Sequence, residues 1–325
     1  MALQKGKFNC ITDVDGVQAG HVTLYQKIND KETICTGVTA ILPHEGNLFR
    51  HKTRAASHVI NGYGKTAGLV QVDELGMLES PIMLTNTFSV GAVLQGTLQY
   101  MLQQNAEIGD TASSLNIVVG ECNDSYLNSM RLQAVKPEHA VKAIENSSRA
   151  PVQEGAVGAG KGMICYGYKG GIGTASRMVE GYTVGCLVLS NFGKREQALF
   201  ADFGKVKMDT PDGSIMMVIG TDAPLYDRQL KRLAKRCAAG LGRTGSHIDN
   251  GSGDIAIAFS TANTYAHQSD SPTGTLSFIR DDHPVMNKLF QAVIESTEEA
   301  VIRSLKCAET TEGRNGRIVE KAPLQ

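Results

Sequence analysis

The sequence has no tryptophan and no excess of charge of either sign. Lysine and arginine together number 32 and aspartate and glutamate 33, which gives a formal net charge of -1. Nucleic acids and anionic membrane surfaces are bound by basic faces, so we predict neither as a partner. The missing tryptophan weighs slightly against a site that stacks a carbohydrate ring.

Long apolar runs are missing as well. The first residues, MALQKGKFNCITD, lack the apolar stretch of a signal peptide, and no later segment has the length that crossing a bilayer requires. The seven cysteines include no Cys-x-x-Cys pair, which argues against a zinc or redox site. We therefore expect a cytoplasmic protein whose cysteines are buried free thiols.

Apolar residues and glycine are abundant. Hydrophobic residues make up 42% of the 325 positions and charged residues 20%, a composition typical of a folded chain with a large core. Glycine occupies 35 of the 325 positions, a larger fraction than the usual share of about 7%. This excess indicates that backbone segments approach one another closely or turn sharply at many places.

Short runs rich in β-branched residues predict strands, and longer stretches with helical spacing predict helices. The predicted helices begin after Ser89, a candidate N-cap, after Pro224 with an end at Gly240 or Gly242, and near Pro284. The predicted strands are 37–42, 68–72, 81–85, 115–120, 182–189, 214–220 and 254–259. Because the strands come in consecutive groups between a few long helices, the pattern favours α+β sheets layered against helices over a doubly wound parallel sheet.

The segment Gly155-Ala-Val-Gly-Ala-Gly-Lys-Gly162 is close to a phosphate-binding loop. The position after Lys161 is Gly162, which has no hydroxyl for magnesium, and the residues that follow predict strand and turn instead of a helix. Close backbone packing is therefore the favoured interpretation of these glycines. No set of histidines with acidic partners is recognisable, and we predict no metal and no cofactor.

The segment Thr210-Pro211-Asp212-Gly213-Ser214 precedes an apolar run. By local chemistry alone it is a turn before a strand, and that interpretation is favoured. The functional interpretation is self-cleavage, in which the Ser214 hydroxyl attacks the carbonyl of Gly213 and leaves Ser214 as a new N-terminus.

Two further segments carry candidate catalytic groups. Ser252 and Asp254 are two residues apart before a predicted strand, so their side chains share a face and could relay a proton. Asn191 ends another predicted strand, where its amide could donate to an oxyanion. Each segment is equally consistent with an ordinary turn.

Together these segments resemble the family of N-terminal-serine aminopeptidases that includes L-aminopeptidase D-amidase/esterase and the β-peptidyl aminopeptidases. The resemblance runs nearly end to end. It rests on ITDVDGVQAGHVTL (11–24), TGVTAILPH (36–44), the segment 61–91, GAVGAGKGM (155–163), GGIGTASR (170–177), YTVGCLVLSNFG (182–193), DGSIMMVIGTDAPL (212–225) and NGSGDIAIAFST (250–261).

The resemblance implies a four-layer αββα sandwich over residues 1–325 as a single domain, shared with ornithine acetyltransferase. It also implies self-cleavage at Gly213-Ser214 into an α chain of residues 1–213 and a β chain of residues 214–325. Relatives assemble as homo-oligomers of such cleaved pairs, so a tetramer is expected.

The resemblance also implies roles for individual residues. Ser214 matches the nucleophile, Asn191 the oxyanion-stabilising amide, and Ser252 with Asp254 the groups that support proton transfer. Glu121 matches the acid that holds the substrate's free ammonium. This chain departs from relatives at Asp254, where many carry glutamate.

A second departure from relatives is at Asn123, a candidate substrate-binding position, near which some relatives have a tyrosine. The activity predicted is hydrolysis of the N-terminal residue of short peptides, amides or esters through an acyl-enzyme. Two alternatives stay open, an acyltransferase of the same fold and an uncleaved, non-catalytic member that binds small ligands.

Overall fold

The computed structural model describes residues 2–204 and 213–324. Within them lie helices α1 (Leu69–Leu75), α2 (Val90–Gln104), α3 (Pro137–Glu145), α4 (Asp227–Arg243) and α5 (Val285–Lys306). The strands are β1 (Gln18–Lys27), β2 (Thr33–Leu42), β3 (His51–Gly62), β4 (Met77–Leu78), β5 (Ile82–Asn86), β6 (Val118–Cys122), β7 (Ile164–Cys165), β8 (Tyr168–Lys169), β9 (Gly171–Val179), β10 (Tyr182–Asn191), β11 (Ser214–Thr221), β12 (Gly253–Ala266), β13 (Thr311–Glu312) and β14 (Ile318–Val319).

Two sheets form the centre of the molecule. The larger sheet has the strand order β4-β3-β12-β11-β10-β9, and the smaller has the order β1-β2-β5-β6. Neighbouring strands are antiparallel except for the parallel pairs β11 with β12 and β5 with β6. Two small hairpins, β7 with β8 and β13 with β14, lie outside these sheets.

Strand β11 shows why the sheets stack. All eight of its residues are buried, because both faces of the strand are covered. Ile215, Met217 and Ile219 point toward α4 and α5, whereas the alternate residues Met216 and Val218 pack against the smaller sheet. Each such side chain contributes about 1.5–3 kcal/mol by leaving water.

The smaller sheet is covered on its other face by α2 and α3. Val38, Met83 and Val119 of this sheet pack in one cluster with Val93 of α2 and Ala140 of α3. The order of layers is therefore helix, sheet, sheet, helix, which confirms the predicted α+β αββα sandwich. No helix among the described residues combines the length and the apolar character that crossing a bilayer requires.

The long secondary structure elements are where the sequence places them, with two corrections at the helix ends. Helix α4 continues to Arg243, so Gly240 and Gly242 lie inside it. Ser89 precedes α2 but makes no capping bond to the helix; its hydroxyl donates to the side chain of Asn86, which also accepts the Phe88 N–H.

The predicted strand at 68–72 is wrong, since these residues enter α1. Gly68 and Gly76 both have left-handed backbone angles, with φ of 83° and 65°, and they bracket a short helix of which only Val72 is buried. The valines suggested a strand, but the two flanking glycines turn the chain at either end and leave room for only two helical turns. Tertiary position overrides the β propensity of the valines here.

The glycine-rich segment 155–173 is packed against neighbouring backbone. A Cβ on Gly173 would lie 1.9 Å from the carbonyl oxygen of Ala300 in α5, and one on Gly171 would lie 2.0 Å from that of Gly155. Gly158–Gly162 form a single short 3-10 helix, and the Lys161 side chain reaches Glu309 at 3.5 Å. The interpretation of these glycines as close-packing positions is confirmed.

The cysteines follow the prediction with one exception. All seven are free, six of them are buried, and Cys307 is exposed. Among the described residues, no group of three or more histidine, cysteine, aspartate or glutamate side chains is placed to hold a metal ion.

Candidate active site

Four strand ends meet at one edge of the larger sheet. Strand β10 ends at Asn191, β11 begins at Ser214, β12 begins at Gly253 and β3 ends at Gly62. In the register of the sheet, Asn191 pairs with Ser214, Ser214 with Gly253, and Gly253 with Gly62. Because strands β10 and β3 run opposite to the two strands between them, the ends of two strands and the starts of two others converge here.

Ser214 occupies the first position of β11 and is buried. Its hydroxyl oxygen accepts a hydrogen bond from the backbone N–H of Gly253 at 3.3 Å. A Cβ on the preceding Gly213 would lie 1.8 Å from the carbonyl oxygen of Asn191, so only glycine fits that position. Of the predicted cleavage segment, Thr210, Pro211 and Asp212 lie outside the described residues.

The side-chain amide of Asn191 is fixed from both ends. Its Oδ1 accepts the backbone N–H of Ile164 at 2.8 Å, and its Nδ2 donates to the carbonyl oxygen of Asn123 at 2.9 Å. An amide nitrogen carries two N–H groups. Within the described residues only one of them has an acceptor, so the other is available for a group bound beside Ser214.

Ser252 and Asp254 form the predicted pair. The Ser252 hydroxyl donates to Oδ1 of Asp254 at 2.8 Å, and both residues are buried. Burial raises the pKa of Asp254 from 3.8 to about 6, opposed by the hydrogen bond from Ser252 and assisted by the charge of Asp249. In the part of the chain that the structure describes, its buried Oδ2 has no hydrogen-bond partner. A carboxylate with such a pKa can exchange protons near neutral pH.

Asn61 of β3 supports this pair and was not singled out from the sequence. Its Nδ2 donates to the carbonyl oxygens of Asp249 at 3.2 Å, Asn250 at 3.1 Å and Ser252 in a shorter contact. The amide therefore holds the turn that presents Ser252. The only sequence signal was its place in the segment Asn61-Gly-Tyr-Gly-Lys65, and no local rule assigns a contact with a turn that lies about 190 positions further along the chain.

Glu121 approaches from the end of β6 in the smaller sheet and is buried. Its Oε1 accepts the backbone N–H of Lys65 at 2.8 Å, and its Oε2 accepts the hydroxyl of Thr87 in a short contact. A Cβ placed on Gly64 would lie 3.7 Å from Glu121 Oε1 and 3.8 Å from the Cα of Gly253, so the carboxylate and the start of β12 flank the same glycine.

The acidic groups of the two sheets lie close to one another. The pKa of the buried Cys122 thiol is raised well above its ordinary value by burial and also by the charges of Glu121 and Asp254. No lysine, arginine or histidine side chain forms an ion pair with Glu121 anywhere in residues 2–204 and 213–324. The negative charge of Glu121 is therefore left without a basic partner among the described residues.

Asn123 contributes to this edge through its backbone. Its side-chain Oδ1 accepts the N–H of Ser125 at 2.9 Å, whereas its carbonyl oxygen accepts the Asn191 amide. The structure therefore brings all of the predicted site residues to one edge of the sandwich, with the Asn123 side chain turned to its own loop.

A serine that begins a central strand of a four-layer αββα sandwich is characteristic of the Ntn hydrolase fold. The solved L-aminopeptidase D-Ala-esterase/amidase of Ochrobactrum anthropi, described as a prototype for the serine aminopeptidases and a new variant among the Ntn hydrolase fold, superimposes with a TM-score of 0.90. It is 34% identical, and the match covers 99% of this chain and 93% of that one.

The sequence profile of peptidase family S58 matches residues 9–319, and this chain belongs to that family of peptide-bond hydrolases. The beta-peptidyl aminopeptidase BapA of Sphingosinicella microcystinivorans is 39% identical, over 98% of this chain and 86% of the relative. The crystal structure of the PH0078 protein from Pyrococcus horikoshii OT3 is 48% identical, has a TM-score of 0.92 and covers 99% of this chain and 94% of that one.

Proposed function

We propose that this aminopeptidase cleaves its own Gly213-Ser214 bond and then uses Ser214 to remove the N-terminal residue from short peptides, amides or esters. One observation carries the proposal. Ser214 begins β11 directly between the end of β10, which supplies the Asn191 amide, and the start of β12, which follows Ser252. This convergence at one edge of one sheet supports Ser214 as the nucleophile, Asn191 as the oxyanion donor and Ser252 with Asp254 as the proton-transfer pair.

Self-cleavage begins with attack of the Ser214 hydroxyl oxygen on the carbonyl carbon of Gly213. The C–N bond breaks as the C–O ester bond forms, and the proton from the hydroxyl ends on the new α-amine of Ser214. Water then hydrolyses the ester. The products are an α chain of residues 1–213 and a β chain of residues 214–325.

The same hydroxyl next attacks the substrate. Its proton passes to the free α-amine of Ser214, and Ser252 with Asp254 supports this transfer, while the second N–H of Asn191 donates to the oxyanion of the tetrahedral intermediate. The leaving amine takes the proton as the acyl-enzyme forms. Water releases the acyl group by the reverse sequence of proton transfers.

The buried Glu121 carboxylate is placed to bind the free ammonium of the substrate, a charge-assisted contact that only an unblocked N-terminus can make. Asn123 lies two residues further along the chain and remains a predicted substrate contact. Because curated relatives are named as β-peptidyl aminopeptidases, we include N-terminal β-amino acids among the proposed substrates.

The test of self-cleavage is the intact mass and N-terminal sequence of the purified protein. We expect two fragments and a new terminus that reads Ser214-Ile-Met-Met-Val. The Ser214→Ala variant should remain one inactive chain, whereas Ser269→Ala, which changes an exposed serine after β12, should be cut and active like the wild type. A wild-type chain that is uncut and fully active would refute the mechanism.

Substrate class is tested by comparing hydrolysis of the anilides of L-alanine, D-alanine and β-homoalanine with their N-acetylated forms. Loss of hydrolysis on acetylation of every substrate is expected, and rapid cleavage of an acetylated anilide would contradict the role of Glu121.

We also propose a homo-tetramer of cleaved pairs, supported by the family resemblance and checked by light scattering. The free thiols support a reducing, cytoplasmic location.

A further inference from the structure

The hairpin of β7 and β8 packs directly against the end of β10. Its two turn residues, Tyr166 and Gly167, have φ of 49° and 68°, the left-handed conformations that a tight two-residue hairpin requires. The Tyr166 ring is fully buried, its hydroxyl lies 2.8 Å from that of Thr244, and its backbone N–H donates to Phe192 at 2.7 Å. The hairpin is thus fixed beside Asn191.

Lys169 ends this hairpin and is completely buried. Its Nζ donates to the carbonyl oxygens of Gly160 at 3.0 Å, Met163 at 2.7 Å and Gly170 at 2.8 Å. An ammonium has three N–H groups and a neutral amine only two, so three carbonyl acceptors match the charged form. No carboxylate in the described residues lies within ion-pair distance of it.

The groups around Lys169 do not fully compensate its positive charge. Burial lowers its pKa to about 7. The titratable groups that face it are Cys35 of β2, Asp124 after β6, Lys161 of the glycine-rich segment and Cys165 of β7. A buried cation held mainly by carbonyl dipoles costs folding free energy, and the mechanism described above does not use it.

The Met163 carbonyl links Lys169 to the active site. Ile164 pairs with Lys169 across the hairpin, and the carbonyl of Met163 and the N–H of Ile164 belong to the same peptide unit. Lys169 donates to one end of that unit, and the other end donates to Oδ1 of Asn191. Hydrogen bonds in such a chain polarise one another, most strongly when one donor is charged.

We propose that Lys169 is a positioning residue for Asn191. The Lys169 ammonium holds and polarises the Met163-Ile164 peptide, which fixes the orientation of the Asn191 amide and strengthens the Asn191 Nδ2 as a donor to the oxyanion. Lys169 does not touch the substrate. The inference rests on the proposed function, because that function gives Asn191 its oxyanion. A purely structural lysine would fill the three carbonyls without affecting the chemical step.

The test compares Lys169→Gln, which keeps N–H donors without the charge, with Lys169→Met, which loses both. The matched control is Lys161→Met, since Lys161 is the other largely buried lysine of this region and instead faces Glu309 and the Tyr25 ring. We expect Lys169→Gln to lower kcat about tenfold or more with KM within twofold. The control should leave both constants within twofold.

A double-mutant cycle with Asn191→Ala shows whether the effect passes through Asn191. In that background Lys169→Gln should cause no further loss of kcat, and the rate of self-cleavage is compared in the same way if processing is slow. Losses that multiply would overturn the inference. If Asn191→Ala is inactive while Lys169→Gln keeps the wild-type kcat, the inference about Lys169 is overturned and the proposed function is not. If Asn191→Ala is fully active, the oxyanion role in the proposed function is refuted.

A measurement on the unsubstituted hairpin covers the case in which the Lys169 variants do not fold. In the Ser214→Ala chain labelled with ¹⁵N-isoleucine, the Ile164 amide proton should resonate downfield of the other strand isoleucines, because its hydrogen bond is polarised. The resonance is assigned by its loss in Ile164→Val. An Ile164 shift within the range of the other strand isoleucines would contradict the polarisation.

Discussion

Replacement of Asp254 by asparagine should stabilise the fold while removing activity. The carboxyl is buried, accepts one hydrogen bond from Ser252, and has an Oδ2 with no partner in the described residues. Asparagine has nearly the same shape and keeps an oxygen for the Ser252 hydroxyl. The substitution therefore removes a buried charge and leaves the contact in place.

The magnitude follows from the pKa. A rise from 3.8 to about 6 means that ionised Asp254 costs the folded state about 3 kcal/mol at neutral pH. Against this gain, asparagine places its Nδ2 where the described residues give Oδ2 no partner, and an unpaired buried amide N–H costs about 1 kcal/mol. The net gain is about 2 kcal/mol, or about 3 °C in melting temperature for a chain of this size.

The pH dependence has a definite sign. Well below pH 3.8 the carboxyl is neutral in the folded and the unfolded state, so asparagine brings no gain there. As the pH rises toward 6, the unfolded state ionises freely and the folded state does not, and the wild-type fold loses stability. The advantage of Asp254→Asn should therefore grow between pH 4 and 6 and be constant above.

The stability assay needs chains that are equally uncut. Thermal unfolding is therefore compared between Ser214→Ala and the double variant Ser214→Ala/Asp254→Asn from pH 4 to pH 8, with Ser214→Ala/Asp270→Asn as the control at an exposed aspartate. Activity is measured separately in chains with Ser214 intact, where Asp254→Asn should lower kcat by about 10²-fold or more. A double variant that melts no higher than its parent at pH 7, or an Asp254→Asn enzyme with full kcat, would refute the reasoning.

Three further predictions concern the proposed cleavage site, the proposed ammonium site and the partly buried His21. Gly213→Ala places a Cβ against the Asn191 carbonyl and should slow self-cleavage by about tenfold or more, seen as uncut chain on a denaturing gel; processing at the wild-type rate would contradict the packing. Glu121→Gln should lower kcat/KM for free-amine anilides by about 10-fold to 100-fold, mainly through KM, and an unchanged KM would contradict the ammonium contact. Burial lowers the pKa of His21 to about 4, so stability in urea should fall by up to about 3 kcal/mol as the pH drops from 6.5 to 4, and His21→Gln should lose less over this range; equal losses would count against a buried neutral imidazole.

The central strands were predictable because their apolar content is continuous. The runs at 182–189, 214–220 and 254–259 are buried on both faces, and such a run appears in the sequence whatever its neighbours are. The predicted strand at 68–72 was wrong because two left-handed glycines decide that segment.

The site was predictable in part for a different reason. Ser252 and Asp254 are two residues apart, and strand geometry alone brings their side chains together. Asn191 and Ser214 meet because β10 and β11 pair in one register, which no local rule could derive. The family resemblance implied only that the two residues belong to one site. The side chains of Asn61 and Lys169 donate to backbone carbonyl oxygens. Every residue has such an oxygen, so no sequence pattern marks these contacts.

The two buried titratable groups at this edge share one physical property. Burial raises the pKa of Asp254 toward neutrality and lowers that of Lys169 toward it, so each ionised group costs free energy where it stands. Asp254 accepts from Ser252, and Lys169 is joined to Asn191 by a single peptide unit, so the two charges lie behind the two groups that would handle the proton and the oxyanion. A neutral side chain of similar shape would stabilise the fold at Asp254, whereas at Lys169 it would leave backbone carbonyl oxygens without their donors. The placement of ionisable groups on both sides of Ser214 therefore supports the proposed chemistry at its hydroxyl.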